Sequence, residues 1–414
     1  HRAGSLKSDT RLHVACFIII ALVSFIIYSN TLNSPFVFDD INNIVENTKA
    51  GDLGYYLSKT LNGTRSFVNA TFAINYHFNQ LNVTGYHLVN IIIHVIAGFL
   101  VYLLAVLTFR TPLLKDHPLQ AYARILPVCS ALLFVAHPVQ TQAVTYIIQR
   151  YASMAAMFYL MAMVCFIKAR LIYLQDRRFW ASKHLLYYGL SFTAGFLAAS
   201  SKETAATLPV MILLYEYTFI ETSLRAWQKR LLYLLPLLLL GLKIPFHVIS
   251  HLFMPDAMGI KSFNPDVKFA GASLSELLSV GKGKDPALTR TTYLFTQFNV
   301  LWTYIRLLIL PINQNLDYDY PLYTSLWQFP TPFSLIGLLL LLGSAIFIFR
   351  KHRLIAFSIL WFFITLSVES SVIPIIDYIF EHRLYLPSVG YAFILPALIF
   401  QLKIYIMKRA KETP

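Results

Sequence analysis

The sequence predicts an all-α protein that crosses a membrane about ten to eleven times. Of its 414 residues, 57% are hydrophobic and only 13% are charged, whereas roughly 25% of the residues in a soluble domain are charged. Apolar runs of about 20 residues, the length that spans the hydrocarbon core, recur along the chain. The basic residues gather at alternate connections between these runs. These three features exclude a soluble globule, a disordered chain and a coiled coil.

The apolar runs define ten crossings, bounded by charged residues because an ion is costly at the bilayer centre. In chain order, the predicted spans are residues 12–29, 88–109, 125–147, 152–169, 184–200, 205–220, 231–250, 333–349, 354–373 and 384–406. The segment 291–310 contains Gln297, Asn299 and Arg306, and as a full span it would upset the charge pattern. It is therefore predicted to be interfacial or re-entrant.

The distribution of charge gives these spans a direction. With the N-terminus inside, the cytoplasmic segments hold 21 of the 34 basic and 5 of the 20 acidic residues, a net charge of +16. The rest of the chain, with 13 basic and 15 acidic residues, sums to −2. This asymmetry follows the positive-inside rule, so the overall charge of +14 reflects membrane orientation. No nucleic-acid partner is expected.

The first external loop, residues 30–87, carries two adjacent carboxylates, Asp39 and Asp40, directly after the apolar triplet 36–38. An isolated aspartate in such a loop is usually only a solvated residue. Here the apolar triplet is expected to hold the backbone at the bilayer interface. That position suits a general base or a metal ligand beside a lipid-borne substrate.

Further polar side chains lie near the outer ends of the predicted spans: His137, Gln140, Arg150, Lys202, Glu203, Asp317, Asp319, Glu381, His382 and Arg383. One interpretation is structural pairing between neighbouring charges, as for Lys202 with Glu203. The other is a cationic cage for a phosphate group, formed by Arg150, Lys202, His382 and Arg383. Both can hold together, because cations in a cage need carboxylate neighbours to orient them. The remaining polar residues are predicted to support the substrate or the structure.

An acidic pair and several cations at headgroup depth suit group transfer from a lipid-linked phosphate. A sugar on a polyprenyl phosphate presents its anomeric carbon at that depth, and the phosphate is the leaving group. A base such as Asp39 is expected to take the proton of an acceptor hydroxyl, while arginine and lysine side chains stabilise charge on the phosphate. The sequence contains neither a Walker motif nor a GxGxxG motif, which agrees with a donor that is not a nucleotide.

Five sequence blocks occur in a characteristic order: FVFDD, HPVQTQAV with YIIQR, SKETAATLP, NLDYDYP and EHRLYLPSVG. Together they resemble the membrane half of the transmembrane and tetratricopeptide-repeat-containing glycosyltransferases, and more closely their bacterial relatives, within the GT-C superfamily of polyprenyl-phosphate-sugar-dependent transferases. The resemblance spans residues 12–406. It implies a GT-C-like fold with Asp39 and Asp40 as the catalytic pair. It favours Asp39 as the base and Asp40 as a residue that orients substrate or binds metal, although the sequence alone does not rank them.

The same resemblance implies the substrates and the location. The donor is expected to be a polyprenyl-phosphate-linked sugar, with a divalent metal, Mg²⁺ or Mn²⁺, left open. Donor-phosphate contacts are assigned by position to Arg150, Lys202 and Arg383. The acceptor is expected to be a protein Ser or Thr hydroxyl, or else a lipid or glycan, on the periplasmic face of a bacterial inner membrane. The repeat domain of the namesake group is absent from the sequence, which leaves acceptor recognition and oligomeric state open.

The predicted organisation has five parts: a cytoplasmic segment 1–11 that resembles an expression tag in part, a catalytic transmembrane module 12–250 that includes loop 30–87, an external loop with an interfacial helix 251–332, C-terminal transmembrane helices 333–406 and a cytoplasmic tail 407–414. The end of the sequence, just after the last span, suggests that a soluble portion once followed.

Two alternative functions stay open. A transporter or flippase for a lipid-linked glycan would place charges deep within its spans and show two related halves. Here the ionisable residues cluster at outer ends, and the halves show no similarity. An oligosaccharide ligase or polymerase that uses an undecaprenyl-pyrophosphate donor would keep the phosphate cage and differ mainly in its donor.

Overall fold

The structure is a computed structural model that describes residues 2–59, 65–242, 289–371, 375 and 377–412. Every regular element in these ranges is a helix. Five helices of the described chain are long and apolar enough to cross a membrane: Thr10–Thr31, Val83–Thr108, Ile147–Asp176, Thr331–Ile348 and Ser388–Ala410. The predicted fold class, an all-α multi-pass membrane protein, is confirmed. The number of crossings stays a prediction.

The fourteen α-helices of the described ranges are α1 (Arg2–Tyr28), α2 (Leu53–Lys59), α3 (Ser66–Asn79), α4 (Val83–Thr108), α5 (Leu126–Ala136), α6 (Thr141–Thr145), α7 (Arg150–Asp176), α8 (Ser182–Ala199), α9 (Leu208–Tyr215), α10 (Leu224–Leu239), α11 (Arg290–Ile309), α12 (Thr331–Ile348), α13 (Arg353–Leu366) and α14 (Ser388–Glu412). Residues 243–250 of the predicted span 231–250 and residues 251–288 of the predicted external part 251–332 lie outside the described residues.

The predicted span 125–147 is interrupted. Helix α5 ends at Ala136 because His137 is extended, with φ −71° and ψ 127°, and it precedes Pro138, which disfavours the helical conformation of the residue before it. A 3₁₀ turn, Pro138–Gln140, and the short helix α6 follow. Two polar side chains of the interrupted segment, Gln140 and Gln142, are buried inside the bundle.

Helix α7 lies at the centre of the bundle and packs against α8 and α4, while α4 also contacts α1 and α5. Small residues allow close approach between such helices in a membrane, and Ala155 and Ala162 on α7 are fully or almost fully buried. Gly98 on α4 serves the same purpose, because a Cβ there would lie 2.3 Å from Cγ1 of Val135 on α5. Any larger residue at position 98 would separate the two helices.

Lipid-facing and protein-facing surfaces are clearly distinguished on α12 and α11. Helix α12 exposes large apolar side chains, among them Phe347, which is 90% exposed, as expected for a helix in contact with lipid. Helix α11 instead buries Gln297 and Asn299, whose amide groups donate to the Tyr378 carbonyl at 2.9 Å and to the Thr331 hydroxyl at 2.9 Å. The interfacial or re-entrant placement of this segment stays a prediction.

The connections between helices gather at two ends of the bundle. At one end, segments predicted to be cytoplasmic contact α9 and its π-helical extension Glu216–Ile220, through Leu113 N–H to the Phe219 carbonyl and Arg353 to the Thr218 carbonyl. We call this the basic end. At the other end, which we call the aspartate end, the segments that meet are residues 36–40, 142–148, 202–203, 314–319, 369–371 and 377–383.

Candidate active site

Asp40 fixes a sharp turn at the start of the first external loop. Its carboxylate accepts the Val37 N–H at 3.1 Å and the Ile148 N–H at 2.7 Å. The residue between, Phe38, has φ 46°, a left-handed conformation that is unusual for a bulky side chain and costs about 1–3 kcal/mol. The two hydrogen bonds hold this turn and attach the loop to the segment that leads into α7.

The two aspartates have different surroundings. Asp40 is only 1% exposed, and burial raises the pKa of its carboxyl to about 6, although the backbone N–H groups of Val37 and Ile148 oppose the shift. Asp39 is exposed, and its backbone N–H donates to the Tyr146 hydroxyl at 2.9 Å. The Tyr146 hydroxyl also hydrogen-bonds the Asp39 side chain. Because Asp39 is exposed, an acceptor hydroxyl can reach its carboxylate from the surface, whereas both Asp40 oxygens accept backbone N–H groups inside the fold.

Two further exposed carboxylates belong to the surroundings of Asp39. The pKa of Asp377 is raised by burial, and the negative charges of Asp317 and Asp39 raise it further, against the opposing effect of Arg383. The three carboxylates come from three separate segments of the chain. The fold therefore collects negative charge on the exposed surface beside Asp39.

A cation cluster adjoins these carboxylates. Lys202 Nζ lies 2.7 Å from Glu369 Oε1, and Arg383 Nε lies 3.8 Å from the same oxygen. Arg65, which precedes α3, pairs with Glu203 at 3.2 Å, and this pair lowers the pKa of Glu203 against the opposing effect of burial. The cluster thus contains three cations and two carboxylates, and the negative charge of Asp377 also acts on Arg383.

His382 belongs to this cluster as a neutral group. Its ring Nδ1 lies 3.0 Å from Gln142 Oε1, which also accepts the His382 backbone N–H at 2.6 Å. Burial lowers the pKa of His382 well below its usual value, and the nearby charges of Lys202, Arg383 and Arg65 lower it further. A histidine surrounded by cations stays uncharged, so the positive charge of the cluster comes from lysine and arginine.

Arg150 occupies a different, fully buried position. Its guanidinium donates to Asn90 Oδ1 at 2.7 Å, Thr71 Oγ1 at 3.2 Å and the Tyr86 carbonyl at 3.1 Å, and it lies over the Phe72 ring at 4.3 Å. These contacts join α3 and α4 to the start of α7. The structure thus gives Arg150 a scaffolding position, and its predicted contact with a donor phosphate stays a prediction.

The predicted support residues hold the loop between α11 and α12. Glu381 accepts the Asn315 N–H at 2.8 Å and the side-chain donors of Gln314 and Tyr318, each at 2.5 Å. Two other predicted support residues lie between α5 and α6. A ring nitrogen of His137 lies 2.9 Å from the Leu308 carbonyl oxygen, and the Gln140 side chain donates to the Ser388 hydroxyl at 2.8 Å. The loop held in this way exposes Asp317 and Asp319.

Three residues of the site were missed by the sequence analysis: Arg65, Tyr146 and Glu369. Glu369 carried a usable signal, because it is the only carboxylate in the apolar segment 354–373 and an ion in a span needs an explanation. Tyr146 lies inside a quoted block but resembles an ordinary apolar residue of a span. Arg65 lies in an unpatterned polar loop, and only the tertiary structure places it beside Glu203.

The predicted metal at Asp40 stays a prediction. Each Asp40 oxygen accepts one backbone N–H and keeps a second lone pair. Within the described ranges, no group of three or more His, Cys, Asp or Glu side chains could hold a metal ion.

Fold and site together define a multi-pass helical membrane protein with an exposed carboxylate beside a cation cluster at one end of its bundle. The chain is similar to proteins named protein O-mannosyl-transferase, which are glycosyltransferases. It is 31% identical to Tmtc1 of Drosophila melanogaster over 45% of this chain and 21% of the relative. It is 27% identical to TMTC4 of Homo sapiens over 46% of this chain and 28% of the relative.

A third relative, F38B6.6 of Caenorhabditis elegans, is 28% identical over 37% of this chain and 23% of its own length. The matched region therefore spans only 21–28% of the length of these three curated relatives. No family model matches the chain, and no solved structure matches it. The resemblance to the transmembrane and tetratricopeptide-repeat-containing glycosyltransferases is confirmed, while a bacterial origin stays a prediction.

Proposed function

We propose that the chain forms the membrane part of a glycosyltransferase that moves a mannosyl group from a polyprenyl phosphate to a Ser or Thr hydroxyl of a protein. The names of the similar proteins support the sugar and the acceptor. One structural observation carries the proposal: the exposed Asp39 lies at the same end of the bundle as the cations Arg65, Lys202 and Arg383. A base and a phosphate-binding group are the two parts that this reaction needs.

In this mechanism the Asp39 carboxylate accepts the proton of the acceptor hydroxyl. The hydroxyl oxygen forms a bond to the anomeric carbon, and the bond from that carbon to the phosphate oxygen breaks. The electron pair of the broken bond leaves on the phosphate. Because the acceptor enters opposite the leaving group, the configuration at the anomeric carbon inverts.

The cation cluster acts on the leaving group. The donor phosphate is a diester with a single negative charge, whereas the released polyprenyl phosphate is a monoester with a charge of about −1.5 to −2 at neutral pH. Negative charge therefore grows on the phosphate as the reaction proceeds. Lys202 and Arg383 stabilise this increase more than they stabilise the bound donor, which is the condition for accelerating the chemical step.

The proposed orientation places the aspartate end on the non-cytoplasmic face, which in the predicted bacterial inner membrane is the periplasmic face. The support is electrostatic, because the opposite end of the bundle holds the segments with a net charge of +16 and basic loops stay in the cytoplasm. A lipid-linked sugar on the outer leaflet would then meet Asp39 and the cation cluster together.

A transfer assay with matched variants tests this function. The full chain is reconstituted in liposomes with labelled mannosyl-phosphoryl-polyprenol and a peptide rich in Ser and Thr. Labelled peptide is expected with the wild type and with the control Asp176→Asn, which alters only an exposed carboxylate at the basic end. Asp39→Asn should abolish the labelling. Equal labelling by Asp39→Asn and wild type would refute the role of Asp39, and movement of labelled donor across the bilayer without transfer would favour a transporter.

A further inference from the structure

Glu369 lies at the centre of the cation cluster with a fixed backbone. Its N–H donates to the Leu366 carbonyl at 3.1 Å, just beyond the end of α13, and its own carbonyl accepts the Tyr293 hydroxyl at 2.6 Å. The residue is 7% exposed. A single side-chain oxygen, Oε1, faces both Lys202 Nζ at 2.7 Å and Arg383 Nε at 3.8 Å. One carboxylate oxygen is thus shared by two cations from separate segments of the chain.

Arg383 does not depend on Glu369 for its position. Its two terminal nitrogens donate to neutral backbone acceptors, the Asp377 carbonyl at 2.9 Å and the Tyr378 carbonyl at 3.2 Å. The Arg383 guanidinium would therefore stay in place without the Glu369 charge. A buried carboxylate can orient a cation, and it can neutralise the charge of that cation. Backbone carbonyls orient Arg383 here, so the main effect of the Glu369 carboxylate on Arg383 is its negative charge.

We propose that Glu369 is an internal counter-ion that takes the place of a phosphate on Lys202 and Arg383 and so weakens the binding of the phosphate product. The inference rests on the proposed function, since it assumes that this cluster receives the lipid phosphate. A phosphate oxygen needs the same donors that Oε1 occupies, so the ligand must displace or share the carboxylate. Glu369 is a positioning residue in this account, because it acts through the two cations.

The consequence is greatest for the released product. A monoester carries more negative charge than the diester donor, so an unopposed cluster would hold the product most tightly and slow its release. The Glu369 carboxylate repels the phosphate and returns to its partners when the product leaves. Glu369→Gln removes this repulsion with little change of shape, and we expect the affinity for polyprenyl phosphate to rise about tenfold or more.

The test measures binding of a short-chain polyprenyl phosphate to the full chain in detergent, by isothermal titration calorimetry. The variants are Glu369→Gln and Glu369→Asp, which keeps the charge on a shorter side chain and moves it away from Lys202. Asp176→Asn is the control, because it neutralises an exposed carboxylate at the basic end. We expect the affinity to increase from wild type to Glu369→Asp to Glu369→Gln, and Asp176→Asn to equal the wild type.

A second readout separates charge tuning from a purely structural role. In the transfer assay, Glu369→Gln should lower both kcat and the KM for donor, because slow product release limits turnover while the phosphate site is stronger. Unchanged or weaker binding by whichever Glu369 variants fold would overturn the counter-ion assignment and leave the proposed function standing. Failure of every protein, wild type included, to bind polyprenyl phosphate would overturn both.

Discussion

The two ends of the bundle treat buried charge in opposite ways. At the basic end, Arg170 and Glu216 form a bidentate pair, with Nε–Oε2 at 2.9 Å and Nη2–Oε1 at 2.5 Å, and both side chains are at most 3% exposed. At the aspartate end, three cations share two carboxylates, and the Arg65 side chain is 47% exposed.

This difference in burial and pairing distinguishes a structural ion pair at the basic end from a proposed ligand site at the aspartate end. A pair in which one cation meets one carboxylate in the two-bond geometry has its charge neutralised and adds rigidity. A cluster in which three cations share two carboxylates and which opens to solvent can still offer donors to an anion. The same residue types therefore serve stability at one end of the bundle and, in the proposed function, binding and catalysis at the other.

The variants Asp39→Asn and Asp40→Asn test whether the two adjacent residues of the aspartate end have different roles. Asp39→Asn is expected to lower transfer by about 10²- to 10⁴-fold, the contribution of a general base, without a change in thermal unfolding. Asp40→Asn should lower transfer and also destabilise the fold by about 1–3 kcal/mol, because a buried acceptor of two N–H groups is altered. Loss of stability in Asp39→Asn alone would reverse the two roles.

At the basic end, removing one partner should affect stability and leave the chemistry intact. Glu216→Ala leaves the Arg170 charge buried and is expected to cost about 3–5 kcal/mol of unfolding free energy. The double variant Arg170→Met with Glu216→Leu should recover most of that loss, because both charges are gone. Thermal unfolding in detergent measures the effect. A double variant that is no more stable than Glu216→Ala would show that the unpaired Arg170 charge does not cause the loss of stability.

Lys202→Met sharpens the contrast between the ends, because it removes one cation from the aspartate end. The kcat/KM for the lipid donor is expected to fall by about 10²- to 10³-fold, as when one group that stabilises transition-state charge is deleted. Lys168→Met, which removes a lysine of α7 near the basic end, is the control. Equal losses in the two variants would mean that the effect comes from overall charge, with no special role for the cluster.

Tyr146→Phe probes the support behind Asp39. The variant removes the hydroxyl that accepts the Asp39 N–H at 2.9 Å, which should misplace the base and lower kcat by about tenfold, on the order of one hydrogen bond. Tyr159→Phe is the control, since its hydroxyl bonds Thr207 within the bundle. The KM for donor should not change in either variant, and a change confined to KM would place Tyr146 in donor binding instead.

The smallest expected effect is a pH dependence of stability that comes from Asp40. The pKa of this carboxyl is about 6 in the folded chain and 3.8 in the unfolded chain, so the native state binds more protons between these values. The group lowers stability fully above pH 6, and this penalty disappears as the pH falls toward 4. When the pH falls from 7 to 5, the unfolding free energy of the wild type should rise by about 1 kcal/mol relative to that of Asp40→Asn. A fall in this difference would contradict the raised pKa of Asp40.

Composition and hydropathy were enough to predict the helical membrane fold, because lipid imposes long apolar segments on any chain that crosses it. Pro138 is the sequence signal for the break at His137, because proline disfavours the helical conformation of the residue before it. The outer-end residues Asp39, Lys202 and Arg383 were visible as polar groups at the ends of spans.

Pairing and burial could not be predicted in the same way. The sequence offers Glu203 and Glu381 as neighbours of the cations, yet Lys202 and Arg383 share Glu369, which is distant in the chain and supplied by a different helix connection. Arg150 and His382 look like further cations in a linear sequence. Only the tertiary structure shows that neutral acceptors enclose Arg150 and that His382 is an uncharged residue among cations.

The most direct test of the central claim is an experimental structure of the chain with bound polyprenyl phosphate, determined by cryo-electron microscopy in lipid nanodiscs. The account predicts phosphate density within hydrogen-bonding distance of Lys202 and Arg383, with the Asp39 carboxylate facing the same space and the Glu369 carboxylate moved away from Lys202. Phosphate density beside the basic end, or a polyprenyl chain that avoids the aspartate end, would contradict it.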